Sequence, residues 1–134
     1  MLPPFDVNGN LPPGIHPCSL EEVVSRFGRG SPERQAETAE LCEFVQWARE
    51  AGVTRLIVDG SYVTDKISPN DVDVVILPGP DYPRQQQPAL ALALSWPFLH
   101  VQIADDEMDL RQWAVVDFGT DRNHNPRGLL EIIL

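Results

Sequence analysis

The sequence predicts an α/β domain, a small mixed β-sheet flanked by helices. Three observations lead there. Two short apolar runs, TRLIVDG and DVDVVIL, have strand length and β-branched content and stand one turn-rich connection apart. A long capped segment with helical spacing precedes them. The later FLHVQIA and GLLEIIL runs supply further strands between helical stretches.

The chain has 134 residues, 43% of them hydrophobic, enough for one domain with one core. Its formal net charge of -10 argues against a broad grip on a nucleic-acid backbone, which needs clustered Lys and Arg. Any nucleic acid is therefore expected to be met locally or beside a basic partner, and most of the acidic residues are read as a soluble, self-repelling surface. Cys18 and Cys42 lack the CxxC spacing of a zinc or redox site and are read as thiols. The opening residues carry no basic leader followed by an apolar stretch, and no run reaches bilayer length, so a cytoplasmic protein without membrane contact is expected.

Along the chain, residues 1–18 are rich in Pro and Gly and read as an extended arm ahead of a domain over 19–134. Its Leu2, Phe5, Leu11 and Ile15 are apolar anchors, which predicts packing against the body or a second copy of the chain. Ser19 and Glu22 have capping-box spacing for a short helix ending near Gly28. Ser31 caps a second helix with Pro32 in its first turn, Leu41, Phe44, Val45 and Ala48 on one stripe, and Gly52 at its end. PGPDYPRQQQP is a loop. ALALALSW alternates like a strand but has the composition of a helix, and is assigned helix because this returns FLHVQIA as a neighbouring strand. DDEMDLRQWAVVDFG, acidic at its start and closed by Gly, is a helix.

The chemistry lies in DGSYVTDKISPNDVDVVIL. Residues two apart on a strand share a face, so Asp71 and Asp73 present two carboxylates while Val72 and Val74 turn to the core. Hard cations such as Mg²⁺ or Mn²⁺ take oxygen ligands of this kind, with water and phosphates completing the shell. Gly60 and Ser61 end a strand where amides and a hydroxyl can receive a phosphate, with Lys66 in reach. Either piece alone is common as a solvated strand feature or ordinary turn chemistry.

The order of strand, Gly-Ser, short polar connection and Asp-apolar-Asp-apolar resembles the nucleotidyltransferase superfamily of DNA polymerase beta. LPPFDVNGNLPPGIHP, DGSYVTDK and DRNHNPRGLLEI together are similar to a bacterial family of nucleotidyltransferase-like proteins defined by domain similarity. The resemblance implies a polymerase beta-like fold, Gly60 and Ser61 holding NTP phosphates, Asp71 and Asp73 as catalytic metal ligands, and transfer of a nucleotidyl group to a protein or RNA acceptor. Small relatives partner toxins or serve in phage defence, which implies the same context here by analogy.

Active members add a third carboxylate from a neighbouring strand. Gln102 is expected at that position here, and an amide is a poor Mg²⁺ ligand. Asp105 or Asp106 is the substitute ligand, against a plainer reading as helix N-terminal acids, and Asp117 is a weaker one. His16, His100 and His124 share no ligand spacing and are read as structural or solvated. Arg122 and Arg127 approach the nucleotide or stand in a solvated loop, and Trp47, Trp96 and Trp113 are core or interface anchors. The alternative to an enzyme is a catalytically degenerate fold that acts as antitoxin, nucleotide sensor or interaction module.

Overall fold

A computed structural model describes residues 1–117, 119, 120 and 123–134, the side chains of 115–117 excepted. Five strands form one mixed sheet: β1 (Gly14–Cys18), β2 (Val53–Asp59), β3 (Val72–Pro78), β4 (Leu99–Ile103) and β5 (Gly128–Ile132), in the order β1-β5-β2-β3-β4. The outer pairs β1/β5 and β3/β4 are parallel, while β5/β2 and β2/β3 are antiparallel. This is the mixed α/β architecture the apolar runs predict.

Helix α1 (Leu20–Phe27) starts at the expected capping box: the Glu22 amide donates to Ser19 Oγ at 3.1 Å, and the Ser19 amide donates to Glu22 Oε1 at 3.3 Å. Helix α2 (Pro32–Ala51) starts where Ser31 Oγ accepts from the Arg34 amide at 3.2 Å and ends at Gly52. Its Leu41, Phe44, Val45 and Ala48 are all fully buried, as their spacing requires. The ambiguous Ala-Leu run is helical as α3 (Gln86–Leu92), and it carries the chain from β3 to its parallel neighbour β4. α4 (Glu107–Arg111) continues into a π-helical turn over Gln112–Asp117.

The two sheet faces are covered unequally. Val72, Val74 and Ile76 face the large core, built with α1, α2 and α3. Ile57, Val75, Leu77 and Leu129 face a smaller cluster closed by Leu110 and Ala114. No described helix is long and apolar enough to cross a membrane.

The amino-terminal segment is part of this body. Leu2 and Leu11 are buried in the large core, Phe5 meets Phe27 edge-on at 6.0 Å, and residues 14–18, expected as extended arm, are the strand β1. The expected packing of the arm is thus made against its own chain. Ile15 is the anchor left partly outside, 38% exposed.

The connection that leaves β2 is held by one side chain. Arg34, on α2 and only 6% exposed, donates through Nη1 to the carbonyls of Phe27 (3.2 Å) and Tyr62 (2.8 Å). Through Nη2 and Nε it reaches those of Thr64 (2.7 Å) and Lys66 (2.6 and 3.0 Å). Tyr62, fully buried, shares a hydrogen bond with Thr38 at 2.6 Å. Removing the guanidinium strands several buried carbonyls at once. Arg34→Met is expected to lower unfolding stability by about 3 kcal/mol, read by urea denaturation, because buried acceptors left unpaired each cost about 1–3 kcal/mol. A loss under about 1 kcal/mol would show that the loop holds itself.

Candidate functional site

Asp59, the last residue of β2, stands opposite Asp73, the second residue of β3, in the antiparallel register. Both point to the face that carries the smaller cluster, one register step beyond Ile57 and Val75. Asp71 lies just before β3. Its Oδ1 accepts from the Ser61 hydroxyl at 2.5 Å and from the Ser61 amide at 3.2 Å. The same hydroxyl accepts from the Asn70 amide at 2.9 Å, and the Tyr62 amide donates to the Asp71 carbonyl at 3.1 Å.

These bonds correct one expectation. The amides of Ser61 and Tyr62 turn inward to Asp71, and that of Val63 donates to the Gly60 carbonyl, so they are engaged rather than free for an anion. The reason for glycine at position 60 differs as well. Its φ is +94, and a Cβ there would stand 2.7 Å from the Asp71 carbonyl oxygen. Gly60 lets β2 turn away while the start of β3 lies against it. Ser61 is, in this arrangement, the residue that positions Asp71.

Burial works against the Asp71 carboxylate, but the Ser61 hydrogen bonds outweigh it and hold the group below its ordinary range. Asp73 is pushed up, first by burial and then by the Asp71 charge beside it, with His100 opposing. Asp59 is fully buried. Burial pushes its carboxyl up to about 7 against the pull of Arg127, whose Nη2 donates to Oδ2 at 2.8 Å, and Oδ1 has no hydrogen-bond partner among the described residues. Three carboxylates therefore meet at one sheet end with one guanidinium and one imidazole among them.

That donor set fits a divalent cation. Asp71 and Asp73 repel each other, and Mg²⁺ characteristically takes one or two protein carboxylates and leaves its other positions to water and phosphate. Among the described residues no group of three or more His, Cys, Asp or Glu side chains is arranged to hold a metal.

The substitute ligands do not join it. β3 and β4 run parallel with Asp73 paired to His100 and Ile76 to Ile103, so β4 carries the chain away from the aspartates. Asp105 and Asp106 follow its far end, roughly 15 Å of extended chain from His100. Asp106 instead caps α4, its Oδ1 accepting from the Asp109 amide at 2.8 Å, and the Asp105 amide donates to Asp109 Oδ2. Gln102 pairs with Val75 and is exposed. The neighbour of Asp73 is His100, with Nδ1 3.3 Å from Asp73 Oδ1 and a side chain 69% exposed. The Asp117 side chain and Arg122 lie outside the described residues.

Beside Ser61 and Asp71 opens a polar cleft of about 550 Å³. Lys66 and Arg127 bring positive charge to it and Asp65 and Asp71 negative, Asn8 and Asn10 come from the amino-terminal segment, and Asn123 and His124 from the loop before β5. His16 is elsewhere, bonded to the Pro12 carbonyl at 2.7 Å. Of the tryptophans, Trp96 packs edge-on against Phe44 at 5.3 Å and Trp113 joins the smaller cluster, as anchors do. Asp59 is the residue the sequence reading passed over, and His100 was read there only as structural or solvated. Asp59 had the cue of a charged residue ending an otherwise apolar strand; His100 had none until the β3/β4 register was known.

The fold and site thus define a small α/β protein with a carboxylate pair beside a polar, partly basic cleft. The chain belongs to DUF6932, a family of unknown function, whose pattern spans residues 3–133. No curated protein and no solved structure matches it.

Asp59 and Glu37 give the site a pH signature. Glu37, buried on α2 with Oε1 unpartnered among the described residues, is pushed up to about 7 by burial, with Arg34 opposing and Asp71 adding. A carboxyl raised on folding binds more protons folded than unfolded, so stability falls as pH rises from about 4 to about 7. Thermal unfolding across pH 4–8 is expected to show that fall in the wild type, a shallower one in Asp59→Asn or Glu37→Gln, and the flattest in the double variant. Parallel profiles for all four proteins would show that neither group is raised.

Proposed function

We propose that the protein binds a nucleoside triphosphate through a divalent cation and transfers its nucleotidyl group to a hydroxyl of a protein or RNA acceptor, as a nucleotidyltransferase of the polymerase beta type. The observation that carries this reading is Asp71, fixed by Ser61 in the lining of a cleft with Lys66 and Arg127, with Asp73 two residues on in β3. Asp71 and Asp73 are the catalytic ligands of Mg²⁺ or Mn²⁺. Held there, the ion would neutralise phosphate charge and favour departure of pyrophosphate. Lys66 and Arg127 meet the phosphate tail, while Gly60 and Ser61 hold the Asp71 carboxylate in place for it. The acceptor oxygen bonds to the α-phosphorus as the bond to pyrophosphate breaks, and the hydroxyl proton leaves to water.

One observation favours a second reading. The β4 residue beside Asp73 is His100, where a third carboxylate is expected of an active enzyme. A degenerate nucleotidyltransferase fold that binds the nucleotide without turnover, as an antitoxin or sensor in a defence complex, fits that substitution. Incubation with each labelled NTP, Mg²⁺ or Mn²⁺ and cell lysate separates the two. Label on protein or RNA that disappears in the Asp71→Ala, Asp73→Ala double variant supports transfer; binding without label transfer supports the sensor.

Both readings require the metal for nucleotide affinity. With a formal charge of -10, the protein has little to offer a triphosphate except Lys66, Arg127 and a bound cation. Calorimetry is expected to find NTP binding weak in chelator, restored by Mg²⁺ or Mn²⁺, and at least tenfold weaker in Asp73→Asn. Equal affinity with and without metal would rule out a cation-bridged site.

A further inference from the structure

The wall of the cleft opposite the body's own residues is a built turn of the amino-terminal segment. Asp6 Oδ1 accepts from the amides of Asn8 (2.8 Å) and Asn10 (3.1 Å), and the Asp6 amide donates to the Asn10 carbonyl at 2.7 Å. This turn is stitched to the loop that carries Ser61. Asn10 bridges Thr64, the Asp65 amide donates to the Gly9 carbonyl at 3.0 Å, and Gly9, at φ +77, leaves no room for a Cβ against the Asp65 carboxylate. The turn is thus fixed in register with the Gly-Ser loop, and its tip presents the exposed Asn8 to the cleft.

We propose that this turn reads the nucleoside end of the bound nucleotide, with the Asn8 carboxamide hydrogen-bonding the edge of the base. The inference rests on the nucleotide reading above. The positive side chains Lys66 and Arg127 mark where the phosphates lie, and a carboxamide carries no charge with which to hold them. A carboxamide does offer a donor and an acceptor side by side, the pattern that pairs with the N6 and N7 edge of adenine. The described lining of the cleft contains no Phe, Tyr or Trp, and its one aromatic ring is the small imidazole of His124, so selection among bases falls chiefly to such hydrogen bonds. Asn8 is the specificity-determining residue and ATP the preferred nucleotide.

The test compares ATP, GTP, CTP, UTP and inorganic tripolyphosphate as ligands of the full chain in Mg²⁺, by calorimetry, for wild type and Asn8→Ala. Asn8 is exposed at the tip of the turn, so the variant is expected to fold, which its melting curve verifies. The expected result is that wild type binds ATP more tightly than the other nucleotides and than tripolyphosphate. Asn8→Ala should weaken ATP about fivefold, the scale of one hydrogen bond, and leave tripolyphosphate unchanged. Equal wild-type affinities for ATP and tripolyphosphate, or an equal loss for both in Asn8→Ala, would overturn the base-reading role while leaving the phosphate site standing. No binding of any of the five ligands to wild type would overturn the nucleotide reading and this inference together.

Discussion

The buried guanidinium of Arg34 is the interaction on which the arrangement of the site depends. A charge inside a protein is tolerated only when its donors are satisfied, and here they are met by main-chain carbonyls, one at the end of α1 and three on the connection after β2, rather than by a carboxylate. The three on the connection belong to residues that follow Ser61. A loop without regular structure normally leaves such groups to water; tied to Arg34, Tyr62, Thr64 and Lys66 have fixed places, and the amino-terminal turn has a fixed edge on which to dock. Helix α2, the long element of the large core, is in this way the template for a loop on the other side of the sheet edge.

Charge is concentrated where that loop meets the sheet. Asp71 is stabilised as an anion by Ser61, Asp73 is destabilised by Asp71, and Asp59 is shielded by Arg127 inside the protein. The three carboxyl groups, drawn from neighbouring positions, have been pushed apart in acidity by their surroundings. Such separation is characteristic of sites in which like groups have unlike duties, although a structural network can produce it too. Here the three also differ in exposure: Asp59 is fully buried, and Asp71 and Asp73 are partly exposed.

Most of the architecture was legible because its signals are local. Ser19 with Glu22, Ser31 with Pro32, and Gly52 announce helix ends by capping chemistry that needs no partner elsewhere. The adjacency of Asp71 and Asp73 follows from strand alternation in the same way. What the sequence hid was long-range. Residues 14–18 read as arm because Pro and Gly dominate their surroundings, yet β5 offers them a parallel edge. Gln102 was placed beside the aspartates by analogy, and a register two residues different sets His100 there. The engaged amides of the Gly-Ser turn likewise depend on how closely Asp71 approaches, which spacing along the chain does not reveal.

The pairing of β1 with β5 has a consequence for how the chain is made. Synthesis delivers residues 14–18 early, but their hydrogen-bonding edge belongs to a strand more than a hundred residues later. Until that strand emerges, Leu2 and Leu11 lack the finished sheet that encloses them, and the prolines of the segment keep it from settling into a helix meanwhile. Closing so long a loop is slow compared with forming the local helices and the β2/β3 hairpin pair. The nascent chain therefore carries an unpaired apolar segment until residues 128–132 emerge, and the step that buries it also joins the Asn8 wall to the Ser61 loop.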